Sequence, residues 1–288
     1  MDYIFHLAIL FCIFGMLALT LNLVLGFTGL PSVAHAGFYG IGAYVTAIIM
    51  QRLHGDFFVS VLAGMIVTCT IAFFLGKVLG RFRDDYFLIV TIAFVSIMNR
   101  IFLNWDAVTR GPLGIPGIPR PALFGTTLTD PLLYAILSAI CLALVYVACQ
   151  WITSSSFGRV LKGIREDEDA LKVFGYRTDH YKLIIFVISA AGAAFAGSLY
   201  ASYISFVDPS TFTIYDSVFV WAMIILGGLA SLRGSLLGAL FLVLLPEGLR
   251  FVGFSPDIAG QMRLFVYGTL LVVFMLYRPQ GLNGEYKL

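Results

Sequence analysis

The chain is a series of apolar runs, each about as long as a bilayer is thick, joined by short polar stretches. The runs fall roughly at 3–25, 33–50, 57–79, 86–104, 131–152, 182–204, 212–229, 235–252 and 261–278. About 20 helical residues cross the roughly 30 Å of hydrocarbon in a membrane. Backbone groups in hydrocarbon must be satisfied within their own segment, so runs of this length read as helices. The period-2 alternation of a membrane barrel is absent. Of the 288 residues, 60% are hydrophobic and only 12% charged, where an average soluble domain is about 25% charged. A soluble fold of this size has too little interior to hide that much apolar surface. The expectation is an all-α polytopic membrane protein, one transmembrane domain over 1–288 with about nine crossings. The count becomes eight or ten if the short glycine-rich second or eighth run is broken or re-entrant. A soluble enzyme, a secreted scaffold and a nucleic-acid binder are excluded, and lipid is a principal partner.

Charge placement gives an orientation. The net charge of +2 implies nothing about an acidic partner. Alternating the runs puts twelve Lys and Arg on the side of 153–181, including Lys77, Arg81, Arg159, Lys162, Arg165 and Lys172, and six on the other. Basic residues accumulate on the cytoplasmic side, so the N-terminus is expected outside and the C-terminus in the cytosol. The first run has Asp2 and no Lys or Arg before Arg52. That differs from the basic start of a signal peptide, and the run is read as a retained span. Cys12, Cys69, Cys141 and Cys149 lie in apolar runs without metal-ligand spacing and read as small hydrophobes.

Two segments outside the runs stand out. Residues 105–130 hold Gly111, Pro112, Gly114, Pro116, Gly117, Pro119 and Pro121. Proline fixes φ and glycine admits unusual φ, so this is expected to be an ordered or semi-ordered external loop, either a plain connector or, being longer than an ordinary helix connection, an element with a packing or docking role. The second segment, 153–181, contains one amphipathic helix. Ser154 to Ser156 offer a cap, Gly175 a stop, and Val160, Ile164, Leu171 and Phe174 share a face. Arg159, Arg165, Glu166 and Glu168 fill the polar side. Its acidic residues suit an anionic membrane surface poorly, and a mixed-charge helix between two spans fits a cytosolic protein better.

Glycine marks two interrupted stretches, one in each half. The first holds Gly29, Gly37, Gly40 and Gly42, the second Gly227, Gly228 and Gly234. Small residues let membrane helices approach, and breaks at corresponding positions point to a substrate path and a candidate internal repeat. Helix packing alone explains the pattern equally well. The candidate path comprises those glycines with Ser32, His35, Tyr39 and Tyr44, whose polar atoms are available to a cargo, with His35 alternatively a plain polar group at a helix end. Asn22, Asn99, Asp216 and Glu247 complete the polar groups expected within the runs. A further small-residue stripe from Ser189 to Gly197 is assigned to close packing, without chemistry. Phosphate-loop, metalloprotease and nucleophile-elbow motifs are absent, so the chain reads as non-enzymatic.

Several stretches together carry a resemblance: NLVLGFTGLPSVAHAGFYGIGAYVTA at 22–47, GPLGIPGIPRPALFG at 111–125, IREDEDALKVFGYRTDHYKLIIFVISAAGAAFAGSLYA at 164–201, ILGGLASLRGSLLGALFLVLLPEGLR at 225–250 and LYRPQGLNG at 276–284. The chain resembles the LivM-type permease of branched-chain amino acid ABC importers, over nearly its whole length. The resemblance implies a noncatalytic subunit of a bacterial inner membrane. Its partners would be a homologous LivH-like permease, two cytosolic ATP-binding subunits and an external solute-binding protein. No cofactor belongs to this chain, and ATP and Mg sit on the partners. The segment equivalent to 159–175 docks on the ATPase, with the family's acidic-Ala-Gly element falling on Glu168, Ala170 and Gly175. Leu171 and Lys172 stand where relatives often have small residues, which favours docking by the whole helix. Related permeases carry other amino acids or short amides. The alternative is a secondary transporter or channel acting without an ATPase, and no well-centred carboxylate or His pair supplies its ion site.

Overall fold

A computed structural model describes residues 2–80, 84–123, 126–250, 265–269, 272–273, 276 and 280–282. The architecture is helical. α1 (Asp2–Asn22) runs on into a π-helical turn, Leu23–Phe27, and after a non-helical stretch comes α2 (His35–Arg52). Then follow α3 (Phe57–Leu79), α4 (Asp84–Asn104), a single turn α5 (Asp106–Thr109), α6 (Pro131–Ser154), α7 (Ser156–Val173), α8 (Thr178–Ile204), α9 (Ile214–Gly227) and α10 (Leu232–Arg250). Four two-residue strands complete it: β1 (Ile115–Pro116), β2 (Ala122–Leu123), β3 (Thr126–Thr127) and β4 (Phe206–Val207).

Among the described residues six helical segments are long and apolar enough to cross a membrane: Asp2–Phe27, Phe57–Leu79, Tyr86–Asn104, Pro131–Ser154, Thr178–Ile204 and Pro209–Gly227. α2 does not reach their apolarity, for a physical reason. Thirteen of its 18 residues are buried inside the protein, so helices rather than lipid solvate it. α10 begins at Leu232, ahead of the expected run at 235–252. Of the run expected at 261–278, helical residues 265–269, 272, 273 and 276 are described and the remainder lies outside the described residues.

α1 is the axis. It is apolar on every side, which suits a helix enclosed by others, and it packs against α6, α8, α9 and α10. α2, α3 and α8 pack against one another. A Cβ on Gly42 would lie 2.2 Å from the Ala194 carbonyl oxygen, and one on Gly197 2.0 Å from that of Tyr39. The stripe on α8 therefore brings two backbones together, the usual device of membrane helices.

Contacts between non-adjacent segments define two ends. At one, β1 pairs antiparallel with β4, Gly117 N–H donates to the Ser205 carbonyl at 2.9 Å, Arg52 reaches the Ala107 carbonyl at 2.9 Å, and Gln51 donates to the Pro116 carbonyl. The Gly/Pro-rich segment is thus stitched to the ends of α2 and α8. At the other end lie the π turn, α7 and the α9–α10 turn, with Leu282 N–H on the Leu226 carbonyl at 2.9 Å.

Candidate functional site

The interruption between α1 and α2 is the centre of the site. Helix ends and extended backbone inside a bundle need partners from the surroundings, and neighbouring helices provide them here. Thr91 of α4 accepts from Val33 N–H at 3.1 Å. Ser217 of α9 accepts from Ala36 N–H at 2.9 Å and donates to the Val33 carbonyl. Trp221 Nε1 donates to the Ser32 carbonyl at 2.7 Å. The break is therefore a built feature, held by α4 and α9.

The π turn is held from two sides. Fully buried Asn22 donates to Ser235 Oγ at 2.7 Å and to the Ser231 carbonyl at 3.1 Å, and its Oδ1 accepts from Ala230 N–H at 3.1 Å. The two glycine-rich segments are thereby joined, and a Cβ on Gly26 would lie 2.6 Å from Ala230 N. From the α7 side, Arg165 donates to the Gly26 carbonyl and Lys162 stands 5.6 Å from the centre of the Phe27 ring. Gly29, at φ +75°, lets Arg165 lie against the chain: a Cβ there would be 3.0 Å from Arg165 Cγ. Local π turns are frequent at functional sites.

Above the break lies a cavity of about 290 Å³. Leu10, Phe14 and Leu17 of α1, Ala36 of α2 and Val220 of α9 form apolar walls. His6, His35, Tyr39, Tyr200, Thr211 and Asp216 supply the polar atoms, and Ile204 completes the rim. Asp216 also closes a capping box on Thr213, accepting from its N–H at 3.0 Å and its hydroxyl at 2.7 Å. His35 and Tyr39 are 1% and 3% exposed, and their Nδ1 and hydroxyl oxygen have no hydrogen-bond partner among the described residues. The size is at the low end for small-molecule pockets, and mostly apolar walls with a few polar groups are usual in them.

Only His35 and Tyr39 of the candidate path residues line this cavity. Gly29 and Ser32 belong to the break below it. Gly37 faces Phe94, Gly40 faces Phe102 and Phe212, and Gly42 faces α8. Tyr44 stacks on Phe102 with ring centroids 4.4 Å apart. Gly227 and Gly234 face each other across the α9–α10 contact, and Gly228 sits in the turn between those helices, beside Gly281. Asn99 ties α4 to the α9 entry, donating to the Pro209 carbonyl at 2.7 Å.

The single amphipathic helix expected within 153–181 is two helices. Asp167, at φ −157° and ψ 98°, breaks α7, and its Oδ1 accepts from Ala170 N–H at 2.9 Å to cap the second piece. A short acidic side chain competes with the helix backbone in this way. Ser155 caps the first piece by accepting from Gly158 N–H, and Arg159 donates to Ser156 at 2.8 Å. Val160, Ile164, Leu171 and Phe174 therefore do not share one face. Ile164 is buried and Val160 half-buried, with Leu161 wholly buried beside them. Leu171 is half-buried over Gly163. Glu166 and Gly175 are exposed, and Val173 and Phe174 project at 87% and 79% exposure.

Glu168 fastens the second piece to α8. Its Oε1 accepts from Lys182 at 2.7 Å, from Lys172 and from Thr178, both at 2.9 Å. Partial burial works against its charge, yet these hydrogen bonds hold the carboxyl down to about 2. A lowered pKa stabilises the fold above the ordinary value of 4.5, and that contribution is lost as pH falls through about 2. Glu168→Gln should accordingly lower the melting temperature at neutral pH. The difference from wild type should shrink below pH 4.5 and vanish near 2; a pH series of thermal unfolding in detergent reads it.

Sequence reasoning missed the partners of the break. Ser217 and Trp221 carry no motif, and Ser189 sits in a packing stripe although its hydroxyl is 3.1 Å from His35 Nε2. Among the described residues no group of three or more His, Cys, Asp or Glu side chains converges to hold a metal ion.

The sequence signature described as "Branched-chain amino acid transport system / permease component" matches residues 3–275. The high-affinity branched-chain amino acid transport system permease protein LivM of Salmonella typhimurium is 33% identical, over 94% of this chain and 67% of its own length. LivM of Escherichia coli is likewise 33% identical, over 96% and 69%. LivH of Escherichia coli is 25% identical over 94% of this chain and 91% of its own length. No solved structure matches. The long apolar helices, the buried break and the match along nearly the whole length agree: the chain is a multi-pass, noncatalytic membrane subunit and belongs to the permease components of branched-chain amino acid transport systems.

Proposed function

We propose that this chain is one of two homologous permease subunits of an ATP-driven importer in a bacterial inner membrane, passing branched-chain amino acids received from an external solute-binding protein. The α7 end faces the cytosol and two ATP-binding subunits, and the β1–β4 end faces outward, in keeping with the bias of basic residues. The cavity is a station on the path, and Gly29 and Ser32 follow it inward. Gly37, Gly40, Gly42, Tyr44, Gly227, Gly228 and Gly234 hold the helices around that path. One observation carries the reading: the same short break is gripped by Arg165 of α7 and continues to His35 in the cavity wall. A movement of α7 is therefore a movement of the cavity floor. The apolar walls of Leu10, Phe14, Leu17 and Val220 suit an aliphatic side chain.

Leu10→Trp fills the cavity from a half-buried position. Uptake of leucine by the reconstituted transporter should fall at least ~10-fold, with an overpacking cost to stability of about 1–3 kcal/mol and the ATPase still attached. Undiminished uptake would remove the cavity from the path. Uptake by the purified chain alone, driven by an ion gradient, would replace the importer by a secondary transporter.

A further inference from the structure

We infer that the cavity recognises the ammonium group of its cargo, and that the Nδ1 lone pair of His35 and the carboxylate of Asp216 are the acceptors. The inference rests on the cavity being a station on the path, and it adds the polarity of binding.

Counting protons fixes the tautomer of His35. Its Nε2 lies 3.1 Å from Ser189 Oγ and 3.5 Å from Thr20 Oγ1. Ser189 spends its one hydroxyl proton on the Thr20 carbonyl at 2.6 Å, and Thr20 gives its own to the Met16 carbonyl at 2.9 Å. A hydroxyl has one proton and two lone pairs, so both offer only lone pairs to the imidazole. Nε2 therefore carries the ring proton, and in a neutral imidazole Nδ1 is then an acceptor.

That acceptor is buried, has no partner among the described residues and belongs to a side chain lining the cavity. A buried acceptor without a donor is unfavourable, and a ligand N–H relieves it. A carboxylate, which brings only acceptors, would be repelled there. Asp216 lines the same cavity with its Oδ2 engaged in the Thr213 cap, and adds negative charge. The Tyr39 hydroxyl, also unpartnered, can donate to the cargo's carboxylate. The aliphatic part of the cargo then lies on Leu10, Phe14, Leu17 and Val220.

The test is nitrogen NMR of the transporter with histidine label in this chain alone, mixed with unlabelled partner subunits and assembled in lipid nanodiscs without the solute-binding protein. His6→Gln, His54→Gln and His180→Gln assign the other three histidines and leave His35 by elimination. The probes are L-leucine, 3-methylbutylamine and 4-methylpentanoate, which carry both charged groups, the amine alone and the carboxylate alone. The expected result is a neutral Nε2–H ring before addition, and an Nδ1 signal shifted by leucine and by the amine but not by the carboxylate. An Nδ1–H or doubly protonated ring before addition overturns the inference, as does a response to the carboxylate and not the amine. No response to any probe, with uptake blocked by Leu10→Trp, overturns the role of His35 alone. No response with uptake unaffected by Leu10→Trp overturns the station on the path as well.

Discussion

Phe174→Asp is expected to release the ATP-binding subunits from the assembled importer while leaving the chain folded in the membrane. Phe174 is 79% exposed and follows Val173, 87% exposed, at the end of α7, where Gly175 at φ +87° turns the chain toward α8. In the proposed orientation these two large apolar side chains project together on the cytosolic side and mark an interaction surface. An aromatic anchor of this kind, once seated, is a residue whose loss costs ~2 kcal/mol or more, or roughly 30-fold in affinity. Leu171→Asp should act differently, because Leu171 is half-buried over Gly163 within the chain. It should lower the melting temperature, whereas Phe174→Asp should not. Glu166→Ala, at an exposed rim position, should cost no more than ~1 kcal/mol. Pull-down of the ATPase, thermal unfolding and coupled uptake separate the three variants. Full ATPase retention in Phe174→Asp would show that the docking surface lies elsewhere.

The elements that were legible in the sequence are those whose environment is uniform. α3, α4, α6 and α8 have apolar sequences long enough to cross, and hydropathy reads them because lipid or other apolar side chains surround them. The basic residues around α7 are the basis of the orientation proposed for it. What sequence pattern could not supply was decided by partners distant in the chain. Asp167 reads as one more charge on a helix, and only its bond to Ala170 N–H makes it a break. Gly42 reads as a place where backbone is free to meet cargo, yet Ala194 occupies that space. Ser189 and Thr20 look like packing residues, and only their contacts with main-chain carbonyls and with His35 Nε2 give them the part inferred above. Glycine in a membrane helix announces close approach without saying to what. Of the polar candidates, Asn22 and His35 each satisfy or leave open hydrogen bonds that no local spacing determines.

Arg165→Met should separate attachment from coupling. The first piece of α7 is anchored by Leu161 and Ile164, both buried, each worth about 1.5–3 kcal/mol of apolar burial. That anchoring survives the substitution, and Met keeps a long apolar stem over Gly29. The loss that bears on coupling is the charge-assisted bond from the guanidinium to the Gly26 carbonyl, a kind of bond worth about 1.5–3 kcal/mol. Gly26 lies inside the π turn that Asn22 fixes to the α9–α10 turn. With the bond present, α7, the break and the paired glycine-rich segments move as one body. Without it, α7 can follow the ATPase while the break stays behind. The expected outcome is an ATPase that stays bound and hydrolyses ATP, with leucine uptake per ATP reduced about 10-fold or more, since ~1.4 kcal/mol of lost coupling is a factor of ten. Arg165→Lys should recover part of it, because an ammonium can still donate to one carbonyl without the planar fork. Unchanged uptake per ATP in Arg165→Met would break the mechanical link between α7 and the cavity. Loss of ATPase binding in the same variant would instead place Arg165 on the docking surface beside Phe174.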